Sequence, residues 1–379
     1  MSAVRNIEIE RLRAISIILV LIAHGWLASP LAAQFILPLV KYFSFGVGVD
    51  LFFCISGYVV GKSYVAYIDG AIHQKRFVLA AMLFWMKRAF RLLPSAWAWV
   101  AFGLFCSMFF NSSGVFFSLN ENIISATYIA IFAANYSIVD GTIGPNSIYW
   151  SLSLEEQFYF MFPFFLLATS SSGRRIWLLI IIIAIQFPLS RNIFGGLDER
   201  YYSAFRIDGF CWGLLLSLVQ NSPVIIKINE SISSIKRIWL PFIVVFLILL
   251  LIAIPVWLHD KSYYMGFIAI IAAALVFLAS CQQNIISVGS RLNLIMFWMG
   301  SRSYAIYLIH WPISKLVNEI AHRMIINYPN LDVAIVSFSQ LALWIILTAF
   351  LSEINYRTLE LPFRAKGSAL ANKLWAAKS

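Results

Sequence analysis

Long apolar runs, each closed by a short polar or charged patch, dominate this chain. A membrane-crossing helix needs about 20 mostly apolar residues. Ten stretches approach that, at 12–32, 45–64, 92–110, 154–170, 176–190, 204–220, 237–258, 263–281, 295–317 and 332–352. The pattern predicts an all-α polytopic transmembrane bundle of about ten spans. A further apolar stretch, 123–137, is shorter, and eleven spans stay open as the alternative. The longest polar connections are 65–91, 111–153 and the tail beyond 352, so one membrane-embedded domain over 1–379 is expected, with no appended soluble domain. There is no internal repeat, and the paired, broken spans of many secondary transporters are not seen.

Composition supports the same class. Of 379 residues, 61% are hydrophobic and only 12% are charged, whereas soluble domains sit nearer half apolar and a quarter charged. The net charge of +11 therefore reads as membrane anchoring and contact with anionic lipid, not as a nucleic-acid footprint. If 123–137 does not cross, Arg174 and Arg175 join the side of the basic N-terminus. That side then holds about 21 of the 28 Lys and Arg, which by the positive-inside rule makes both termini cytoplasmic. It includes Arg5, Arg11, Arg13, Lys75, Arg76, Lys87, Arg88, Arg91, Lys236, Arg237 and the tail from Arg357 to Lys378; Lys41, Arg191, Arg200 and Lys261 stay outside.

The basic start, apolar run and small residues Ala32 and Ala33 imitate a secretory signal peptide. The run contains His24, however, and equally long runs follow, so it reads as a retained first span. Cys54, Cys106, Cys211 and Cys281 all lie in apolar stretches, with spacing that fits neither a zinc site nor a disulfide framework. No metal is expected.

An ionisable side chain inside a span is costly and points to function by default. Five polar strings carry them. In the first, Arg13 and His24 stand eleven residues apart, about three turns and about 16 Å along one helix face. His24 suits a general base near neutral pH; the alternative is a structural histidine bonded to a neighbouring helix. The second, Gly46 to Gly57, puts Asp50 near the outer end of its span and Ser56 deeper. Asp50 either orients the histidine or an acceptor hydroxyl, or is a helix N-terminal carboxylate favoured by the dipole. Gly57 permits close helix approach.

The third string, Lys87 to Pro94, presents Arg88 and Arg91 as two forks on one face at the cytoplasmic start of the third span. Guanidinium forks suit phosphate; positive-inside anchoring is the plainer account. The fourth, Tyr149 to Tyr159, opens a span with adjacent Glu155 and Glu156. Ser153 as N-cap and Glu156 as its partner would form a capping box, and Trp150 an interface anchor. Capping explains Glu156 only in part, because the rise brings it well into the outer leaflet.

The fifth, Gly300 to Pro312, lines Ser303, Tyr307 and His310 on one face, directed into the bundle. His310 reads as bonding neighbouring helices or the acceptor rather than as the base. Arg206 and Asp208 read as a local ion pair, and His73, His259 and His322 as loop residues. The arginine forks thus sit at the cytoplasmic face, with His24, Ser56, Glu156 and His310 deeper. A phosphate-bearing donor from the cytosol and an acceptor from outside would meet across the membrane.

These strings, in this order on these spans, resemble the integral-membrane acyltransferase-3 family, whose O-acyltransferases decorate O-antigen, exopolysaccharide, peptidoglycan, Nod factors and macrolides. The tail Tyr356 to Arg364, with Glu360 and Pro362, looks like the family's closing element. The stretch Arg206 to Phe210 fits the family's Arg-plus-acid element only loosely. The resemblance implies a ten-span protein of the bacterial inner membrane with both ends cytoplasmic. It implies acyl-CoA, by default acetyl-CoA, as donor and a glycan or glycolipid hydroxyl as acceptor.

By the same resemblance His24 is the base, assisted by Arg13. Arg88 and Arg91 carry the CoA phosphates, and Glu156 belongs to the active-site cavity. Asp50, Ser56, Trp150, Ser153, Tyr307 and His310 remain candidates for the acceptor site or cavity. With no SGNH-type hydrolase domain expected, acceptor handover falls to the membrane domain or a separate partner. A relay through acyl-His24 stays open, as does a non-catalytic transporter of a sugar lipid or acyl carrier. The other large class of membrane-bound O-acyltransferases also relies on an intramembrane histidine. The Arg-x-x-Arg and Ser-Leu-Glu-Glu-Gln-Phe-Tyr strings argue against it here.

Overall fold

The computed structural model describes residues 6–139, 144–169, 171–192, 203, 206–234, 239–287 and 289–377. Arg5, Arg200, Lys236, Arg237 and Lys378, which enter the charge count, lie outside them. Among the described residues every regular element is helical. In chain order these are α1 (Ile7–Gly25), α2 (Pro30–Val40), α3 (Gly48–His73), α4 (Phe77–Phe109), α5 (Leu119–Ala130), α6 (Ala134–Val139), α7 (Tyr149–Ala168) and α8 (Ser172–Gln186). There follow α9 (Asp208–Val219), α10 (Pro223–Ser234), α11 (Trp239–Trp257), α12 (Tyr264–Ser280), α13 (Ser290–Ser301), α14 (Ser303–Asn327), α15 (Val333–Asn355) and α16 (Leu361–Ala377).

Four helical runs among the described residues are long and apolar enough to cross a membrane alone: Phe45–His73, Phe77–Phe109, Trp239–Trp257 and Val333–Ala377. Two bent pairs, α1 with α2 at 109° and α9 with α10 at 93°, qualify only when each is taken as one span. The chain is a multi-pass membrane protein, with spans less regular than the apolar pattern predicts. The first stretch, 12–32, bends where Pro30 opens a new helix at the position that suits its missing N–H.

The connection expected at 65–91 is almost wholly helix. Only Gln74 to Arg76 interrupts it, with Lys75 in the left-handed region at φ 57°. Arg88 and Arg91 therefore lie inside a 33-residue helix, not at the start of one. The ambiguous stretch 123–137 is divided between α5 and α6. A capping box between Ser118 and Glu121 starts α5, and Phe132, at φ 55°, stands in the break after it. Twelve residues rise about 18 Å, short of the roughly 30 Å hydrocarbon core.

The chain forms two compact units. The first comprises Met1–Val20, Lys41–Phe77 and Phe160–Ser303; the second comprises Leu21–Val40, Val78–Tyr159 and Tyr304–Ser379. In the first, α3 and α9 pack so closely that side chains are excluded at the crossing. A Cβ on Gly57 would collide with the backbone of Phe210, and one on Gly213 with the carbonyl of Cys54. Such small-residue crossings let helices pack where lipid removes any hydrophobic drive. Phe53 and Phe210 stack beside it at 4.5 Å. The second unit is centred on Ala28, Ala305, Ile309, Ile313, Val317 and Trp344. That core holds α14 against α15 and places the polar face of α14.

Candidate active site

In the second unit, the end of α1 and the middle of α14 bring two histidines together. His24 Nδ1 lies 2.9 Å from His310 Nε2, with the rings stacked at 5.1 Å. His310 is fully buried. Its Nδ1 faces the Tyr307 carbonyl at 2.7 Å and the Ile306 carbonyl at 3.2 Å. A carbonyl only accepts, so His310 Nδ1 carries the proton and its Nε2 is a lone pair when the ring is neutral. His24 Nδ1 must then donate to it. The remaining nitrogen, His24 Nε2, is left with its lone pair, and among the described residues nothing hydrogen-bonds to it. Both the hydrogen-bond pattern and the half-buried state of His24 suit it as the reactive member of the pair.

The surroundings hold this pair still. Trp344 Nε1 donates to the His310 carbonyl at 2.9 Å. The Tyr307 hydroxyl donates to the Ile148 carbonyl at 2.8 Å and shares a 2.7 Å bond with Ser151 Oγ. Trp311 packs T-shaped against His24 with ring centres 5.1 Å apart. Its indole N–H donates to the Pro145 carbonyl at 2.8 Å. Tyr307 and His310 thus share the inward face predicted for them, but Tyr307 is tied to protein groups.

The remaining second-unit candidates fall on α4 and α7. The Arg88 guanidinium is buried over the Tyr159 ring at 4.8 Å and beside Phe84 at 5.7 Å, while Arg91 is half-buried. Tyr159 donates to the Glu155 carboxylate. Glu156 Oε1 is buried without a hydrogen-bond partner among the described residues, and the charges acting on it are those of Glu155 and Arg88.

The expected capping box does not form. Helix α7 begins at Tyr149, so Ser153 lies inside it and accepts from the Ala134 N–H at 3.1 Å. Trp150 is buried rather than anchored at an interface. Sequence reasoning missed Lys315, one turn beyond Trp311 on α14. It is buried, and its Nζ donates to the Pro145 carbonyl at 2.6 Å. A lysine inside an apolar helix was the available signal, but the polar string ends at Pro312, before reaching it.

Arg13, Asp50 and Ser56 belong to the first unit. Arg13 pairs with Glu10 at 2.9 Å, and Ser56 is half-buried on α3. Arg206 does not pair with Asp208. It makes a two-pronged pair with Asp50, at 2.9 and 2.5 Å, while Asp208 pairs with Arg191 at 2.9 Å. Position 208 opens α9, and its carboxylate turns to the arginine of the preceding segment. His73 closes α3 and His322 lies within α14, so neither is a loop residue.

Both members of the Asp50–Arg206 pair are about nine-tenths buried, so removing Asp50 takes a two-pronged counter-charge from a buried guanidinium. Asp50→Ala is expected to cost about 3–5 kcal/mol of stability. Asp50→Ala with Arg206→Met should recover much of the loss, read as thermal melting in detergent. A double variant no more stable than Asp50→Ala would refute the pairing as the cause.

A sequence model of the acyltransferase-3 family, described as an acyltransferase domain, matches residues 6–352. The chain belongs to this family. Among its relatives is the peptidoglycan O-acetyltransferase OatA of Listeria monocytogenes, 25% identical over 349 residues, spanning 85% of this chain and 51% of that protein. The O-acetyltransferase OatA of Staphylococcus aureus is 26% identical over 334 residues, spanning 85% of this chain and 53% of its own. The putative peptidoglycan O-acetyltransferase YrhL of Bacillus subtilis is 26% identical over 342 residues, covering 85% of this chain and 51% of that protein. The chain spans about half the length of these curated relatives. No solved structure matches it.

Proposed function

We propose that this chain is an O-acyltransferase of the bacterial inner membrane. It moves an acyl group, acetyl by default, from cytosolic acyl-CoA to a hydroxyl of a cell-surface glycan or lipid-linked sugar. The observation that carries the reading is the free lone pair on His24 Nε2, fixed by a second histidine whose own proton is committed to a backbone carbonyl. An imidazole so arranged can accept a hydroxyl proton without first changing tautomer.

In the proposed step His24 Nε2 takes the proton of the acceptor hydroxyl as its oxygen attacks the thioester carbonyl. The C–S bond breaks, the ester C–O bond forms, and the CoA thiolate leaves with the proton from His24. The positive charge that develops on His24 is shared through Nδ1–H with His310. Arg91 and Arg88 are assigned to the donor's phosphates, Arg91 being the more open of the two. Arg13, on the same helix as His24, and Glu156, with its buried unbonded oxygen, are assigned supporting roles.

That two relatives are named as peptidoglycan O-acetyltransferases supports the choice of acetyl and of a wall glycan. The proposed topology is ten spans with both termini cytoplasmic. Purified chain in detergent, given acetyl-CoA and a wall oligosaccharide, should release CoA thiol and add an acetyl increment to the sugar by mass spectrometry. Neither release nor increment would overturn the assignment and favour a transporter.

A further inference from the structure

Lys315 is a buried amine that the proposed chemistry leaves unused. Its side chain carries three donors, of which the Pro145 carbonyl takes one. Among the described residues no carboxylate pairs with it. It lies 4.7 Å from the Phe117 ring centre and 5.7 Å from that of Trp311. Held between two aromatic rings with a single carbonyl partner, its amine has donors to spare for an arriving acceptor.

A second feature lies next to Pro145 in the chain. Asn146, the residue after Pro145, is 9% exposed, and its amide nitrogen Nδ2 is buried without a hydrogen-bond partner among the described residues. Lys315 thus lies against the Pro145 carbonyl in space and Asn146 follows it in sequence, and their spare donors call for oxygens rather than for another donor. The indole of Trp311 is fixed by its bond to the same carbonyl, and it packs T-shaped against His24. Trp311 thus touches both residues, its ring centre 5.1 Å from that of His24 and 5.7 Å from Lys315 Nζ.

We propose that Lys315 is a specificity-determining residue that binds an anionic group, a carboxylate or phosphate, on the acceptor sugar whose neighbouring hydroxyl is presented to His24. This rests on the acceptor being a sugar, as proposed above. It adds that the preferred sugar is charged. Trp311 supplies an apolar wall for the ring, Lys315 the counter-charge and Asn146 a further donor.

The test uses full-length protein in detergent, with a neutral chitooligosaccharide and the same oligosaccharide bearing one carboxylate as probes. Binding is read by thermophoresis, so it does not depend on turnover. The wild type should bind the carboxylated probe about tenfold or more tightly than the neutral one, the scale of one charge-assisted hydrogen bond. Lys315→Met should abolish that preference and Lys315→Arg keep it, with thermal melting reporting whether each variant is folded.

Equal binding of both probes by the wild type would overturn the inference, whether or not the variants fold. So would a folded Lys315→Met that keeps the preference. Affinity lost for acetyl-CoA instead of the oligosaccharide would move the anion to the donor and overturn the assignment to the acceptor. A wild type that shows the preference but transfers no acetyl would sink the proposed function and leave this binding site standing. Transfer without the preference would sink this inference alone.

Discussion

His24→Ala is expected to lower kcat for acetyl transfer by about 10²–10⁴-fold, the usual contribution of a positioned general base. The loss should appear in kcat, with KM for acetyl-CoA little changed, because removing the imidazole deletes a proton acceptor and no phosphate contact. His24→Gln should be nearly as inactive. An amide can preserve the bond to His310 but has no basic nitrogen to take a hydroxyl proton. Its failure separates base chemistry from the packing of this partly exposed ring. The wild-type rate should also fall on the acid side as the imidazole takes up a proton and loses its lone pair. Steady-state kinetics on detergent-purified variants, checked for intact melting, provide the measurement. Full acylation of the cell-surface glycan by cells carrying His24→Ala would remove His24 from the mechanism.

The chain shows its class openly because membrane embedding is written in composition and run length, which do not depend on tertiary contacts. Its helix boundaries are less open. A window of apolar residues marks where a span fits, but Phe77–Arg91 is apolar enough to extend α4 backwards through a string whose Lys and Arg look like a terminus. Pairings were hidden for a different reason. Asp50 and Arg206 are 156 positions apart, whereas Asp208 is a near neighbour of Arg206 in sequence and was the local choice.

His24 and His310 were each visible as ionisable residues within apolar runs. Their contact across 286 positions and its consequence for the tautomer required the fold. Ser153 followed a local rule for a helix start that the actual start, four residues earlier, made irrelevant. Short-range signals thus single out the ionisable residues, and long-range packing sets which of them meet.

His310→Ala should cost about 10²-fold in kcat, although His310 is placed as a positioning residue and never touches the reacting atoms. Without His310 Nε2 to receive it, the proton of His24 is free to sit on either nitrogen and the ring is free to turn, so the productive lone pair is present only part of the time. A misplacement of about 1 Å is enough for a loss of that size. The conservative replacement separates this from mere structural damage. In His310→Gln the amide oxygen can accept from His24 Nδ1–H while the amide nitrogen donates to the Tyr307 carbonyl, reproducing both ends of the native relay.

His310→Gln is therefore expected to stay within about tenfold of the wild type, with KM for acetyl-CoA unchanged in both variants. Both substitutions disturb a fully buried position, so both should lower the melting temperature to some degree, and activity should not track that loss. Equal inactivation by alanine and glutamine would mean that His310 acts through packing alone. A defect confined to KM would place it in substrate binding. Either result would break the link between the paired rings and the basicity of His24 Nε2, because that link requires glutamine, and not alanine, to keep the proton on Nδ1.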